Sequence, residues 1–258
     1  MVLKSPEVMR YRVASIQGKG TREKQEDAYF ISEVLDDGVI GEKGLLIVVA
    51  DGMGGMTDGK VASDTVVKEV QQAYLDFDLN KSLPRQLIQV LYRANDAVWN
   101  KLRGNGGSTA VLGYIINDHL YFSSVGDSYI WILHDRIITR MNRSHNDLNK
   151  RRQECFSKGE IFLSNTTFTN GPKALTNFIG MPQLLGTDTL LQPLPLEPGD
   201  TILLCSDGIL DALQEKELED LLSLRSPEEM CEDIVNRIHE KNLQDQDNYT
   251  AIIVQCFC

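Results

Sequence analysis

Hydrophobic residues in this chain recur at two spacings, and the two alternate along it. Residues 44–50, 120–125, 201–206 and 251–254 are short, largely apolar runs bounded by Gly or Asp, the pattern of buried strands. Residues 9–34 alternate apolar and polar around Gly18 and Gly20, which predicts two further strands, and 108–140 predicts adjacent strands with turns at Asn117-Asp118 and Gly126-Asp127. Elsewhere the spacing lengthens to three and four. Ala62, Val66, Val70, Ala73 and Phe77 mark one face of a helix behind the glycine-rich loop Gly52-Met53-Gly54-Gly55, and Leu87, Leu91, Ala94, Val98 and Leu102 mark a second. A third opens with Ser226 as cap, Pro227 in first position and Glu229 completing a capping box, followed by Met230, Ile234 and Ile238. The stretch 141–180 is polar and poorly periodic, and reads as a mobile, flap-like insertion over a site. Strands dominate both ends and long helices come in pairs, so the class is α+β with largely antiparallel sheets.

The runs end in chemistry. Asp51, Asp127, Asp207 and Asp247 each stand at the mouth of a strand. Carboxylates converging from four strand ends repel one another unless cations sit between them. Histidine gives no rival centre: His119, His134, His145 and His239 lack ligand spacing and read as surface or loop residues. Oxygen donors favour Mg²⁺ or Mn²⁺ over softer metals. Gly52-Met53-Gly54-Gly55 lacks the lysine and spacing of a phosphate loop. Asp76 to Asn80 imitates the start of a calcium loop, but Lys81 and Leu87 stand where Gly and Glu are needed. Lys150-Arg151-Arg152 reads as a solvated charge run.

Composition narrows the partners. A net charge of −11 over 258 residues argues against nucleic acid or an anionic membrane surface. No apolar stretch approaches membrane-spanning length, the N-terminus lacks a signal peptide's core, and five cysteines without framework spacing suit a reducing cytoplasm. One domain over 1–258 and a monomer are expected.

In order, Arg22-x-x-x-Glu26-Asp27, Asp51-Gly52-Met53-Gly54-Gly55, Gly126-Asp127-Ser128, Ser206-Asp207-Gly208 and Asp247-Asn248-x-Thr250 strongly resemble the metal-dependent serine/threonine protein phosphatases of the protein phosphatase 2C family, in their bacterial form. The resemblance runs from about residue 10 to the last strand. It implies a β-sandwich of two antiparallel sheets flanked by helix pairs, in four αββα layers, with a metal site at one edge. By the same resemblance Asp51 bridges two metals, Asp207 and Asp247 complete the first, and Glu26 with the carbonyl of Gly52 binds the second. Asp27 orients its waters, Asp127 with Asp207 holds a third and weaker ion, and Arg22 grips the substrate phosphate. The implied activity is hydrolysis of phosphoserine and phosphothreonine in proteins by a metal-activated water, without a covalent intermediate. The substrates would be products of a serine/threonine kinase. The alternative is a feeble relative serving as a regulatory phosphoprotein-binding module. Met53 stands where animal members carry a histidine, Met56 and Lys60 replace a His and a Glu of bacterial relatives, and Tyr129 replaces an Arg. The Thr-x-Asp-His-Ser signature is degraded to Thr139 through His145.

Overall fold

Leu45–Ala50 is buried at every residue, so the strand it forms is covered on both faces. The structure, a computed structural model, describes residues 8–34, 38–54, 58–163, 167–168, 171–223 and 226–258. Met56 and Gly55 lie outside them. In chain order, strands β1 (Arg10–Gly18), β2 (Ala28–Ile31), β3 (Leu45–Ala50) and β4 (Gly52–Gly54) precede helices α1 (Asp58–Leu75) and α2 (Leu83–Leu102). Strands β5 (Gly106–Ser108), β6 (Ala110–Ile116), β7 (His119–Val125), β8 (Tyr129–His134) and β9 (Ile137–Arg140) follow, then helix α3 (Asp147–Ser157). The short strands β10 (Asp188–Thr189) and β11 (Leu194–Pro195) lead to β12 (Thr201–Cys205), helices α4 (Asp207–Ala212), α5 (Glu215–Leu222) and α6 (Pro227–Lys241), and the closing strand β13 (Tyr249–Phe257).

Among the described residues two large antiparallel sheets result, one ordered β1-β13-β12-β8-β9 and the other β10-β7-β6-β3-β2 with β11 also paired to β7, beside a small β4–β5 pair. The period of two in β3 splits its side chains between layers. Leu45, Ile47 and Val49 meet Ile202, Leu204, Ile252 and Val254 between the sheets, while Leu46, Val48 and Ala50 face Val66, Val70, Leu91 and Val98 of α1 and α2. β13 divides likewise, with Ala251 and Ile253 turned to Met230, Ile234 and Ile238 of α6. Helices, sheet, sheet and helices make four layers, the expected αββα sandwich. A strand buried on both sides has no polar face to alternate, which is why these runs are unbroken in the sequence.

The third helix begins as the sequence predicts: Ser226 Oγ accepts from Glu229 N, and the Glu229 carboxylate returns to Ser226 N at 3.2 Å. Three expectations change. Phe77 falls beyond α1, yet joins the core by packing edge-on to Tyr114 at 5.3 Å between centroids. Gly52–Gly54 is a strand paired with Gly106–Ser108, where the expectation was a loop; glycine on both sides lets backbones approach that a Cβ would hold apart. The polar stretch 141–180 contains α3, capped by Asn146 through its bond from Asn149 N at 3.0 Å. That helix has no buried residue, so no apolar periodicity announces it.

Candidate metal centre

β3 delivers Asp51 from its last residue, and the edge of the small β4–β5 pair fixes the backbone there. Asp51 N donates to Thr109 Oγ1 at 3.1 Å, and its carbonyl accepts from Thr109 N at 2.8 Å and Ser108 Oγ at 2.9 Å. β2 pairs with β3 so that Ala28 lies opposite Ala50, which brings Glu26 and Asp27 beside Asp51. β12 and β13 pair Cys205 with Ala251, which brings Asp207 beside Asp247. The turn at Gly126, with φ of 101°, carries Asp127 back toward them. Arg22, Glu26, Asp51, Gly52, Asp127, Asp207 and Asp247 line one cleft of about 360 Å³, with Lys173 at its wall.

Asp27 sits behind that cleft, fully buried. Its Oδ2 accepts from Thr250 Oγ1 at 2.7 Å and Ser206 Oγ at 2.9 Å, while its Oδ1 has no partner. An unpartnered carboxylate oxygen at that depth fits an ion-bound water and is costly otherwise. Gly52 fits as well: a Cβ there would stand 2.6 Å from the Glu26 carbonyl, so only glycine lets this backbone lie against the Glu26 turn. All the donors are hard oxygens, the set for Mg²⁺ or Mn²⁺.

Crowding of like charge governs the electrostatics. Burial first, then Asp27, Asp207, Asp127 and Asp247, holds the Asp51 carboxyl well above the usual range. Burial and the Asp207 charge push Asp127 up to about 7, and burial pushes Asp27 up to about 6 against the two hydroxyls that hold it down. Burial with Asp211 and Asp247 raises Asp207, whose hydrogen bond with Asp51 opposes the rise. Among the described residues no three His, Cys, Asp or Glu side chains close around one point; the carboxylates stand about the cleft. Arg22 neutralises Asp247 across 2.8 Å in an exposed pair.

Several contributors escaped the sequence reading. Asn248 accepts from Glu26 N at 2.7 Å and donates to the Lys19 and Lys24 carbonyls at 2.9 Å, tying the Arg22 loop to β13. Lys60 donates to the Asp27 carbonyl at 3.0 Å and pairs with Asp64 at 2.8 Å, so its place in α1 supports the acidic turn from behind. Tyr129 lies under Arg140, whose guanidinium carbon is 4.4 Å from the ring centroid. His145 is in a loop, as expected of the histidines, but it is half-buried and braces the Gly126-Asp127 turn. Its backbone N donates to the Gly126 carbonyl at 2.8 Å, and its Nδ1 accepts from Gly126 N at 3.1 Å. Burial lowers its pKa, so the ring stays neutral with the proton on Nε2.

The sequence profile of the family described as Protein phosphatase 2C matches residues 23–247. The serine/threonine phosphatase Stp of Listeria monocytogenes is 27% identical over 223 residues, covering 81% of this chain and 84% of its own. PppA of Pseudomonas aeruginosa superposes with a TM-score of 0.74 at 25% identity, over 97% of this chain and 100% of that one. The catalytic domain of PstP, crystallised with two manganese ions, superposes with a TM-score of 0.77 at 19% identity, over 97% and 100%.

Proposed function

Since the chain belongs to the protein phosphatase 2C family, we propose that the acidic cleft at the edge of its sandwich is where it removes phosphate from protein side chains. The protein is a metal-dependent serine/threonine protein phosphatase, and its cofactor is Mn²⁺ or Mg²⁺. One observation carries the assignment of the site: Glu26, Asp51, Asp127, Asp207 and Asp247 converge on a single cleft with the Arg22 guanidinium among them. Asp51, Asp207 and Asp247 would hold one ion, and Asp51, Glu26 and the Gly52 carbonyl a second. Asp127 with Asp207 would hold a third, and Asp27 would act through a bound water. Bound there, the cations supply an activated water as nucleophile and neutralise charge on the phosphoryl oxygens.

The chain's own part is positioning. Arg22 offers a planar fork that matches two phosphate oxygens, and its present partner Asp247 is exposed enough to release it. Thr250 and Ser206 lock the rotation of the Asp27 carboxylate, so Oδ1 keeps one direction. Thr109 and Ser108 do the same for the Asp51 backbone. Burial raises the thiol pKa of Cys205, the cysteine next to the cleft, so no thiolate nucleophile competes at neutral pH.

Phosphorylated proteins are the substrates, and we assign their phosphorylation to a serine/threonine kinase acting on the same residues. Among the described residues no helix is long and apolar enough to cross a membrane. All five cysteines are free, which supports work in the reducing cytoplasm. Arg22→Ala tests the site. It is expected to raise KM for a phosphothreonine peptide by about tenfold, with a smaller fall in kcat, because a bidentate charged contact shared by ground and transition states is lost. An unchanged KM would remove Arg22 from the phosphate. A preference for phosphotyrosine over phosphothreonine would contradict the substrate class.

A further inference from the structure

Lys173 has no role in the chemistry above, yet it stands in the same cleft. Arg22 and Lys173 are the cations lining it among the described residues. The two differ in origin. Arg22 comes from the loop between β1 and β2, and Lys173 from the segment that follows α3.

The backbone around Lys173 is anchored. Leu148 N donates to the Pro172 carbonyl at 3.0 Å, Asp147 N to the Ala174 carbonyl at 2.9 Å, and Thr176 N to the His145 carbonyl at 2.8 Å. An isolated bridge joins Asn146 to Leu175. A fixed backbone thus presents a long, flexible cation, about three-quarters exposed, at the cleft wall. Its Nζ rests 2.5 Å from Asp211 Oδ1. Asp211 follows Asp207 by four residues on α4, so it shares that helix face. An exposed pair of this kind is weak and exchanges readily for another carboxylate. The Asp211 bond also raises the lysine's pKa, which keeps it charged at neutral pH and excludes it as a proton donor to a leaving group.

We propose that Lys173 is a specificity-determining residue that leaves Asp211 to bind an acidic side chain flanking the phosphorylated residue, so that the enzyme prefers phosphothreonine and phosphoserine in acidic surroundings. The preference is informative because the protein as a whole, at −11, repels acidic peptides. A local cation inside an acidic cleft is what reverses that bias at the point of contact. This inference rests on the phosphatase reading of the cleft.

The test uses the Mn²⁺-loaded protein and phosphothreonine peptides whose three flanking residues, before or after the phosphoresidue, are all Asp, all Ser or all Lys. Wild type is expected to show kcat/KM about fivefold higher for the Asp set than for the Lys set, on one side of the phosphoresidue. Lys173→Met should flatten the series, and Lys173→Glu should invert it. With Mn²⁺ saturating, each protein's peptide series is read relative to its own rate on p-nitrophenyl phosphate, which has no flank, so the effect of the changed charge on nearby Asp127 and Asp207 cancels. A series unchanged by Lys173→Glu overturns the inference, as does an equal loss on every peptide, which would place Lys173 on the phosphate. Failure of wild type to hydrolyse any substrate with Mn²⁺ would instead overturn the reading of the cleft.

Discussion

Asp51→Asn is expected to lower kcat for a phosphothreonine peptide by about a thousandfold with Mn²⁺ saturating, since charge stabilisation by bound metal is worth several kcal/mol and each 1.36 kcal/mol is tenfold. The substitution keeps shape and removes charge. Asp51's backbone bonds to Thr109 and Ser108 persist in the variant, so the fold has no reason to change. What is lost is the carboxylate proposed to serve two ions at once. The same change should raise the melting temperature of metal-stripped protein at pH 8. Burial and the neighbouring Asp27, Asp207, Asp127 and Asp247 oppose charge on Asp51, and an amide, which never ionises, removes that conflict. Higher stability with lost turnover is the signature of a residue kept for function. A variant that turned over at near wild-type rate would remove Asp51 from the bridging position.

The second large effect is a reversal of pH dependence on metal removal. A carboxyl whose folded pKa lies above its unfolded value binds more protons when folded. Its contribution is therefore full below the unfolded value, 3.8 for aspartate, and is lost as pH rises through the folded one. Asp27, raised to about 6, and Asp127, raised to about 7, place that loss between about pH 4 and pH 7. From pH 5.5 to pH 8 the metal-stripped protein should lose about 2–3 kcal/mol, at 1.36 kcal/mol per pKa unit. That corresponds to a fall in melting temperature of roughly 5–10 °C for a domain of this size. Mn²⁺ should restore stability most at the alkaline end, where the carboxylates are ionised and bind it best. A melting temperature of the stripped protein that rises over the same range would show that these groups are not crowded as the geometry indicates.

The part of this site legible in the sequence is the part built by strands. Leu45–Ala50 and Thr201–Cys205 are covered on both faces, so they appear as unbroken apolar runs, and the aspartate ending each run is conspicuous. The Ser226 capping box is legible because its contacts are three residues apart. What stayed hidden depends on distance in sequence or on the absence of a buried face. α3 has no apolar stripe to read. β4 and β5 are three residues each and rich in glycine, which local preference assigns to loops. His145 braces Gly126 from nineteen residues away, and Asn248 reaches Lys19, Lys24 and Glu26 across more than two hundred. Lys173 lies in a polar stretch, and only the folded chain brings it to Asp211 and the cleft.

Oxygen ligands gathered at this sandwich edge are proposed to hold the ions that make the protein a phosphatase. Titration of Mn²⁺ into the metal-stripped wild-type protein, with phosphate release from a phosphothreonine peptide followed at each addition, tests this most directly. Turnover should be absent at the start, should rise as ions fill the cleft, and should stay about a thousandfold below wild type at saturation in the same titration of Asp51→Asn. Full turnover before any Mn²⁺ is added, or an Asp51→Asn curve that follows wild type, would show that these carboxylates do not hold the catalytic ions.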